Sequence, residues 1–125
     1  MKILVVEDSS SMRAYLTTVL ESGSESYDLE IVEAASGFEA LKTLPHHKFD
    51  AILTDINMPD INGLELINFV KKNPNYRDVP LFVITTEGRE QDRERGLALG
   101  AAEYLVKPFP PESLEALVRR YLRLP

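Results

Sequence analysis

Apolar residues fall in short unbroken runs, separated by longer stretches in which they recur every three or four positions. The runs are Ile3-Leu4-Val5-Val6, Leu29-Glu30-Ile31-Val32, Phe49 to Thr54, Val79 to Thr85, and Tyr104-Leu105-Val106. Continuous, β-branched runs of this length predict strands of a parallel sheet covered on both faces. Between them, Met12, Leu16, Val19 and Leu20 hold helical spacing behind the capping cluster Ser9-Ser10-Ser11. Ser36 and Glu39 form a capping box that opens a helix, with Leu41 and Leu44 inward and Pro45 as the stop. Asn62 and Glu65 repeat that spacing ahead of Leu66, Ile67 and Val70. Leu114, Leu117, Val118, Tyr121 and Leu122 make an amphipathic stripe entered through Pro110-Pro111. Arg89 to Leu99 is a charged helical stretch with little apolar periodicity, and Gly96 inside it costs about 1 kcal/mol relative to Ala. Its charge run, Arg89 to Arg95, predicts a solvated face. Strict βαβαβαβαβα alternation predicts an α/β fold, an open doubly wound parallel sheet, in a single domain over residues 1–125. The polar stretch Lys71 to Asp78 reads as a connection inside that domain.

Composition narrows the function classes. The 125 residues are 44% hydrophobic and 27% charged, as expected of an ordinary globular domain. With no cysteine there is no disulfide framework, thiolate metal site or cysteine nucleophile. Twenty acidic against fourteen basic side chains give a net charge of −6, which argues against direct nucleic-acid binding. The apolar runs are too short for a membrane helix, and Met1-Lys2 leads into a strand rather than a signal-peptide pattern. The expected setting is the cytoplasm, without membrane contact.

In an open α/β sheet, ligands bind at the carboxyl ends of the strands. The residues just past each run are therefore informative: Glu7-Asp8, Glu33-Ala34-Ala35, Thr54-Asp55, Thr85-Thr86-Glu87 and Lys107-Pro108. Four of the five strands send charged or hydroxyl groups to one edge. Carboxylates about 4 Å apart repel by on the order of 4 kcal/mol at an effective dielectric near 20, so such a cluster needs a counter-charge. A hard divalent cation of the Mg²⁺ type fits carboxylate and carbonyl donors, and the absence of Cys or His at these positions disfavours zinc. Waters retained by Mg²⁺ can give way to phosphoryl oxygens, and an ammonium can pair with one of them. The constellation reads as a phosphoryl-transfer site with an Asp as covalent nucleophile.

The blocks Val5-Val6-Glu7-Asp8-Ser9-Ser10-Ser11-Met12-Arg13, Asp55-Ile56-Asn57-Met58-Pro59-Asp60-Ile61-Asn62-Gly63, Thr85-Thr86 and Lys107-Pro108-Phe109 closely resemble the receiver domain of two-component response regulators, of CheY-like type. The resemblance covers essentially the whole chain. It implies a flavodoxin-like sheet of order 2-1-3-4-5 with five helices. It also implies a signalling switch that catalyses its own phosphorylation and dephosphorylation, rather than an enzyme acting on a separate substrate. Asp55 resembles the phosphoacceptor, charged by a histidine kinase, a phosphotransfer protein or a small donor such as acetyl phosphate. Asp8 resembles the direct Mg²⁺ ligand, with Mn²⁺ as a substitute. Glu7, where many members carry Asp, would act through a water or hold the geometry. Asn57 would lend its backbone carbonyl and leave its side chain facing the entrance.

By the same resemblance, Lys107 would neutralise the phosphoryl group, Thr85 would donate its hydroxyl to it, and Tyr104 would turn inward as Thr85 moves. A downstream protein would then bind the last strand and its flanking helices. Asn57 and Glu87 match the positions that tune hydrolysis of the acyl phosphate. Thr86 is bulkier than usual in the family and would temper that turnover. Pro108 is expected to follow a cis bond, Pro59 to restrict its loop, and Gly63 to adopt an unusual backbone angle. His46-His47 are expected to be exposed, and Arg119, Arg120 and Arg123 to form a basic patch for protein contacts. Two rival classes fit less well. A metal-dependent phosphatase of the aspartyl-phosphate type needs an acid/base Asp where Asn57 stands, and a cap that these loops are too short to supply. A flavin carrier would need a phosphate loop after the first strand and an aromatic such as Trp, which the chain lacks.

Overall fold

The computed structural model describes residues 1–23, 28–86 and 89–122. Five strands, β1 (Lys2–Val6), β2 (Glu30–Ala34), β3 (Ala51–Thr54), β4 (Leu81–Thr85) and β5 (Glu103–Val106), alternate with five α-helices. The helices are α1 (Ser10–Ser22), α2 (Gly37–Thr43), α3 (Gly63–Lys72), α4 (Glu90–Leu99) and α5 (Pro111–Leu122). The strands form one sheet in the order β2-β1-β3-β4-β5, every neighbouring pair parallel. This is the flavodoxin-like architecture expected from the sequence.

Three helix starts follow from local capping. Ser9, Ser36 and Asn62 each accept a backbone N–H three residues on, from Met12, Glu39 and Glu65. Two strands start later than their apolar runs suggest: β3 begins at Ala51 rather than Phe49, and β4 at Leu81 rather than Val79. Pro80 has no N–H to give the ladder, although its carbonyl accepts from Ile52 at 2.9 Å. Pro45 does not simply stop α2; it lies in a 3-10 turn, Leu44–His46, that extends it. His47 is half-buried rather than exposed, its ring centroid 5.3 Å from that of Phe49.

The strict alternation of side chains along each strand builds two cores. Ile3, Val5, Leu53, Phe82 and Ile84 pack against α1 and α5 through Leu16, Leu20, Leu114 and Val118. Leu4, Val6, Ile52, Leu81 and Val83 pack against α2 and α3 through Ala40, Leu66, Ile67 and Val70. Helix α4 contributes little core, as its sequence implies: only Gly96 is buried, and residues 89–91 and 93–95 are exposed. Gly100 closes it at φ +119°, with its would-be Cβ only 2.7 Å from Lys71 Cγ. No helix among the described residues is long and apolar enough to cross a membrane.

Candidate functional site

The neighbouring strands β1 and β3 run in register, Val6 beside Thr54, so the residues that follow them emerge side by side. The Asp55 N–H donates to Val6 O at 3.1 Å, which fixes that juxtaposition. Glu7, Asp8 and Asp55 each offer a carboxylate oxygen, and these oxygens lie within 4.8 Å of one another. Glu7 is buried, Asp55 half-buried and Asp8 exposed. The sheet edge thus grades from a dry floor to a wet rim.

Lys107 enters from the far side of the sheet. Its backbone N–H donates to Thr85 O at 2.8 Å, and the Lys107–Pro108 peptide is cis, as expected. Its Nζ donates to Glu7 Oε1 at 3.1 Å, with the two side chains 8% and 2% exposed. Glu7 Oε2 accepts the Ser9 N–H at 3.1 Å. Burial pushes the Glu7 carboxyl above its ordinary value; the Ser9 and Lys107 hydrogen bonds oppose this, while Asp55 and Asp8 add to it. Fully ionised, three carboxylates and one ammonium leave two negative charges, the charge that a divalent cation offsets. Donor type, spacing and charge all fit Mg²⁺ or Mn²⁺.

The loop that follows β3 is held from below. Asp55 Oδ1 accepts the Ile56 N–H at 2.7 Å, Thr54 Oγ1 donates to Asp55 O at 3.0 Å, and Gly63 N–H donates to Ile56 O at 2.8 Å. A Cβ on Gly63 would collide with Asp55 O. Its glycine is therefore required by close approach of two backbone segments, not by the unusual angle expected from sequence. Among the described glycines only Gly100 has a positive φ.

Thr85 is fully buried. Parallel partners share a sheet face, and Val83 pairs with Tyr104 while Thr85 pairs with Val106. Thr85 and Tyr104 are therefore diagonal neighbours on the α3 face, where Tyr104 is partly buried against the core. Asn57 and Thr86 are exposed. Thr86 lines a groove of about 460 Å³ with Met12, Tyr15, Lys107, Pro108 and Phe109. Glu87 and Arg123 lie outside the described residues. A cavity of about 530 Å³ lined by His47, Phe49 and Tyr76 sits at the opposite, amino-terminal edge of the sheet, away from the acids.

Sequence reasoning gave Arg13 no role. Its Nη1 donates to Glu7 O at 2.7 Å and Asp8 O at 3.3 Å, and its Nε lies 3.5 Å from Glu33 Oε1. The guanidinium thus braces the backbone beneath two of the acids. The available signal was its place about one and a half helical turns after them, which returns a long side chain to the loop.

A family model described as the response regulator receiver domain matches residues 3–119. The chain belongs to the response regulator receiver family. A chemotaxis protein CheY homolog from Campylobacter jejuni is 38% identical over 117 residues, covering 92% of this chain and 87% of that protein. The solved structure of chemotaxis protein CheY4 from Vibrio cholerae is 37% identical, with a TM-score of 0.83 over 96% of this receiver domain and 97% of that chain. The receiver domain of the sensor histidine kinase PA1611 from Pseudomonas aeruginosa is 28% identical, with a TM-score of 0.86 over 98% of this chain and 97% of that one. That structure holds a magnesium ion in its active-site cleft. The chain is CheY-like in sequence and fold, and receiver domains are signalling proteins.

Proposed function

We propose that this receiver domain is a phosphorylation-operated switch whose acceptor is Asp55. The reading rests on one observation: Glu7, Asp8 and Asp55 converge within 4.8 Å while Lys107 reaches the same cluster from β5. An Asp55 carboxylate oxygen bonds to phosphorus as the P–N bond of a donor phosphohistidine breaks. The bonding pair stays on the imidazole nitrogen, and Asp55 becomes an acyl phosphate. Hydrolysis by water cleaves the new P–O bond and returns the carboxylate and inorganic phosphate. Asp8, Asp55 and the Asn57 carbonyl would hold Mg²⁺, with Glu7 supporting the geometry. When bound, that ion supplies charge neutralisation for the phosphoryl oxygens. Lys107 exchanges its Glu7 partner for a phosphoryl oxygen, and the Thr85 hydroxyl donates to another.

Phosphorylation replaces one carboxylate charge with roughly two, and adds strong acceptor oxygens. Drawing Thr85 toward them opens space on the face it shares with Tyr104. The Tyr104 ring moves inward and the α4–β5–α5 face changes its affinity for a downstream protein. Leu97 and Val106, 38% and 40% exposed, lie on that face. Asn57, Thr86 and Glu87 set how long the acyl phosphate lasts. The donor is a histidine kinase or phosphotransfer protein, and no nucleic acid is contacted directly.

Beryllofluoride with Mg²⁺, read by NMR, tests the switch. The reading expects shifted Tyr104 ring signals and perturbed β5 amides, all absent in Asp55→Asn. Perturbations confined to the residues around Asp55 would leave an acceptor without a switch and overturn the reading.

A further inference from the structure

The segment between Asp55 and α3 is fastened at a point the acceptor chemistry does not use. Asp60 Oδ2 accepts the Phe38 N–H at 2.9 Å, which ties the loop to the first turn of α2. Backbone N–H groups, chiefly those of Ile61 and Phe38, hold this carboxyl below its ordinary value. Beside the contact, Gly37 is packed so closely that a Cβ would lie 2.6 Å from Ile61 O and 2.8 Å from Ile61 Cβ. A hydrogen bond and a close backbone approach therefore pin one short stretch, residues 60–61, to α2. Three residues before Asp60 stands Asn57, whose carbonyl faces the metal in the proposed function. The other end of the loop is closed by Gly63 N–H on Ile56 O. Between those two fixings the backbone from 57 to 59 has little room to wander.

We propose that Asp60 is a positioning residue: by fastening the β3–α3 loop to α2, it holds the Asn57 carbonyl where a divalent cation can use it. The inference rests on the proposed metal-assisted phosphorylation of Asp55. Asp60 is exposed and lies outside the cluster formed by Glu7, Asp8 and Asp55, so it acts through the loop and not as a ligand. Its removal therefore weakens metal use without abolishing the chemistry.

The test is the Mg²⁺ dependence of both thermal stability and acetyl phosphate labelling in wild type, Asp60→Ala, Asp60→Asn and Gly37→Ala. Asp60→Ala should raise the half-saturating Mg²⁺ concentration about three- to tenfold, as expected for loss of a charged acceptor that anchors a loop. The labelling rate at saturating Mg²⁺ should stay close to wild type. Asp60→Asn keeps an acceptor oxygen and should restore most of the Mg²⁺ affinity. Gly37→Ala pushes the same loop from the α2 side and should shift the Mg²⁺ dependence in the same direction with Asp60 intact. A merely structural role would lower the melting temperature and leave the Mg²⁺ dependence unmoved. Folded Asp60→Ala and Gly37→Ala proteins with wild-type Mg²⁺ dependence would overturn the inference. Wild type that neither labels nor responds to Mg²⁺ would instead overturn the function on which it rests.

Discussion

Glu7 carries a carboxylate that is almost wholly buried and spans the distance to Lys107, a reach that its extra methylene relative to Asp provides. Burial raises its pKa above the ordinary 4.5, and the Ser9 and Lys107 contacts only partly counter this. A group raised on folding gives its full stabilising contribution below its unfolded pKa and loses it as pH rises through the folded one. In chelator, the stability of Glu7→Gln relative to wild type is therefore expected to increase as pH rises from the ordinary value through the raised one. Thermal melts across that window check this, and a constant difference would contradict the shift. Lys107→Met leaves the buried carboxylate without its cation and should cost about 3 kcal/mol in metal-free urea unfolding at neutral pH. Asp55→Asn removes one of three converging charges and should stabilise the metal-free fold by on the order of 1 kcal/mol, measured the same way.

At the scale of elements, what the sequence made legible was what is decided locally. Ser9, Ser36 and Asn62 could be recognised as caps because each bonds an N–H three residues away. The starts of β3 and β4 could not, because a strand exists only where a neighbour offers a ladder, and Phe49 and Val79 are apolar for packing alone. Gly63 was singled out for the wrong reason, since the approach of Asp55 O is a contact between a loop and a helix start. The Lys71 ammonium was also invisible: it donates to Arg77 O and Val79 O, capping the connection after α3. Helix α4 has no amphipathic stripe because it meets the core only through Gly96, its one buried residue, and the half-buried Leu99. Gly63→Ala should cost about 1–3 kcal/mol by overpacking and slow labelling of Asp55, because the strain falls on the Asp55 carbonyl. Chemical unfolding and a labelling time course check the two effects separately.

For the molecule as a whole, alternation of short apolar runs with helical stretches specifies a parallel doubly wound sheet, but periodicity carries no information on strand order. That order was expected only from the family resemblance. The site was legible through a rule of position, since Glu7, Asp8, Asp55 and Lys107 all follow strands. The Glu7–Lys107 pair and the Arg13 brace were not, because they depend on how far side chains reach in space. If the converging acids form one metal site, Mg²⁺ at ten times its dissociation constant should stabilise the fold by about 1.4 kcal/mol. Asp8→Ala should remove most of that gain in the same thermal titration. The most direct measurement is to label the protein with acetyl phosphate, trap the acyl phosphate with borohydride, and locate the modified residue by peptide mass spectrometry. The account predicts modification at Asp55 alone, and none when Mg²⁺ is chelated. Modification elsewhere, or labelling of Asp55 indifferent to Mg²⁺, would contradict it.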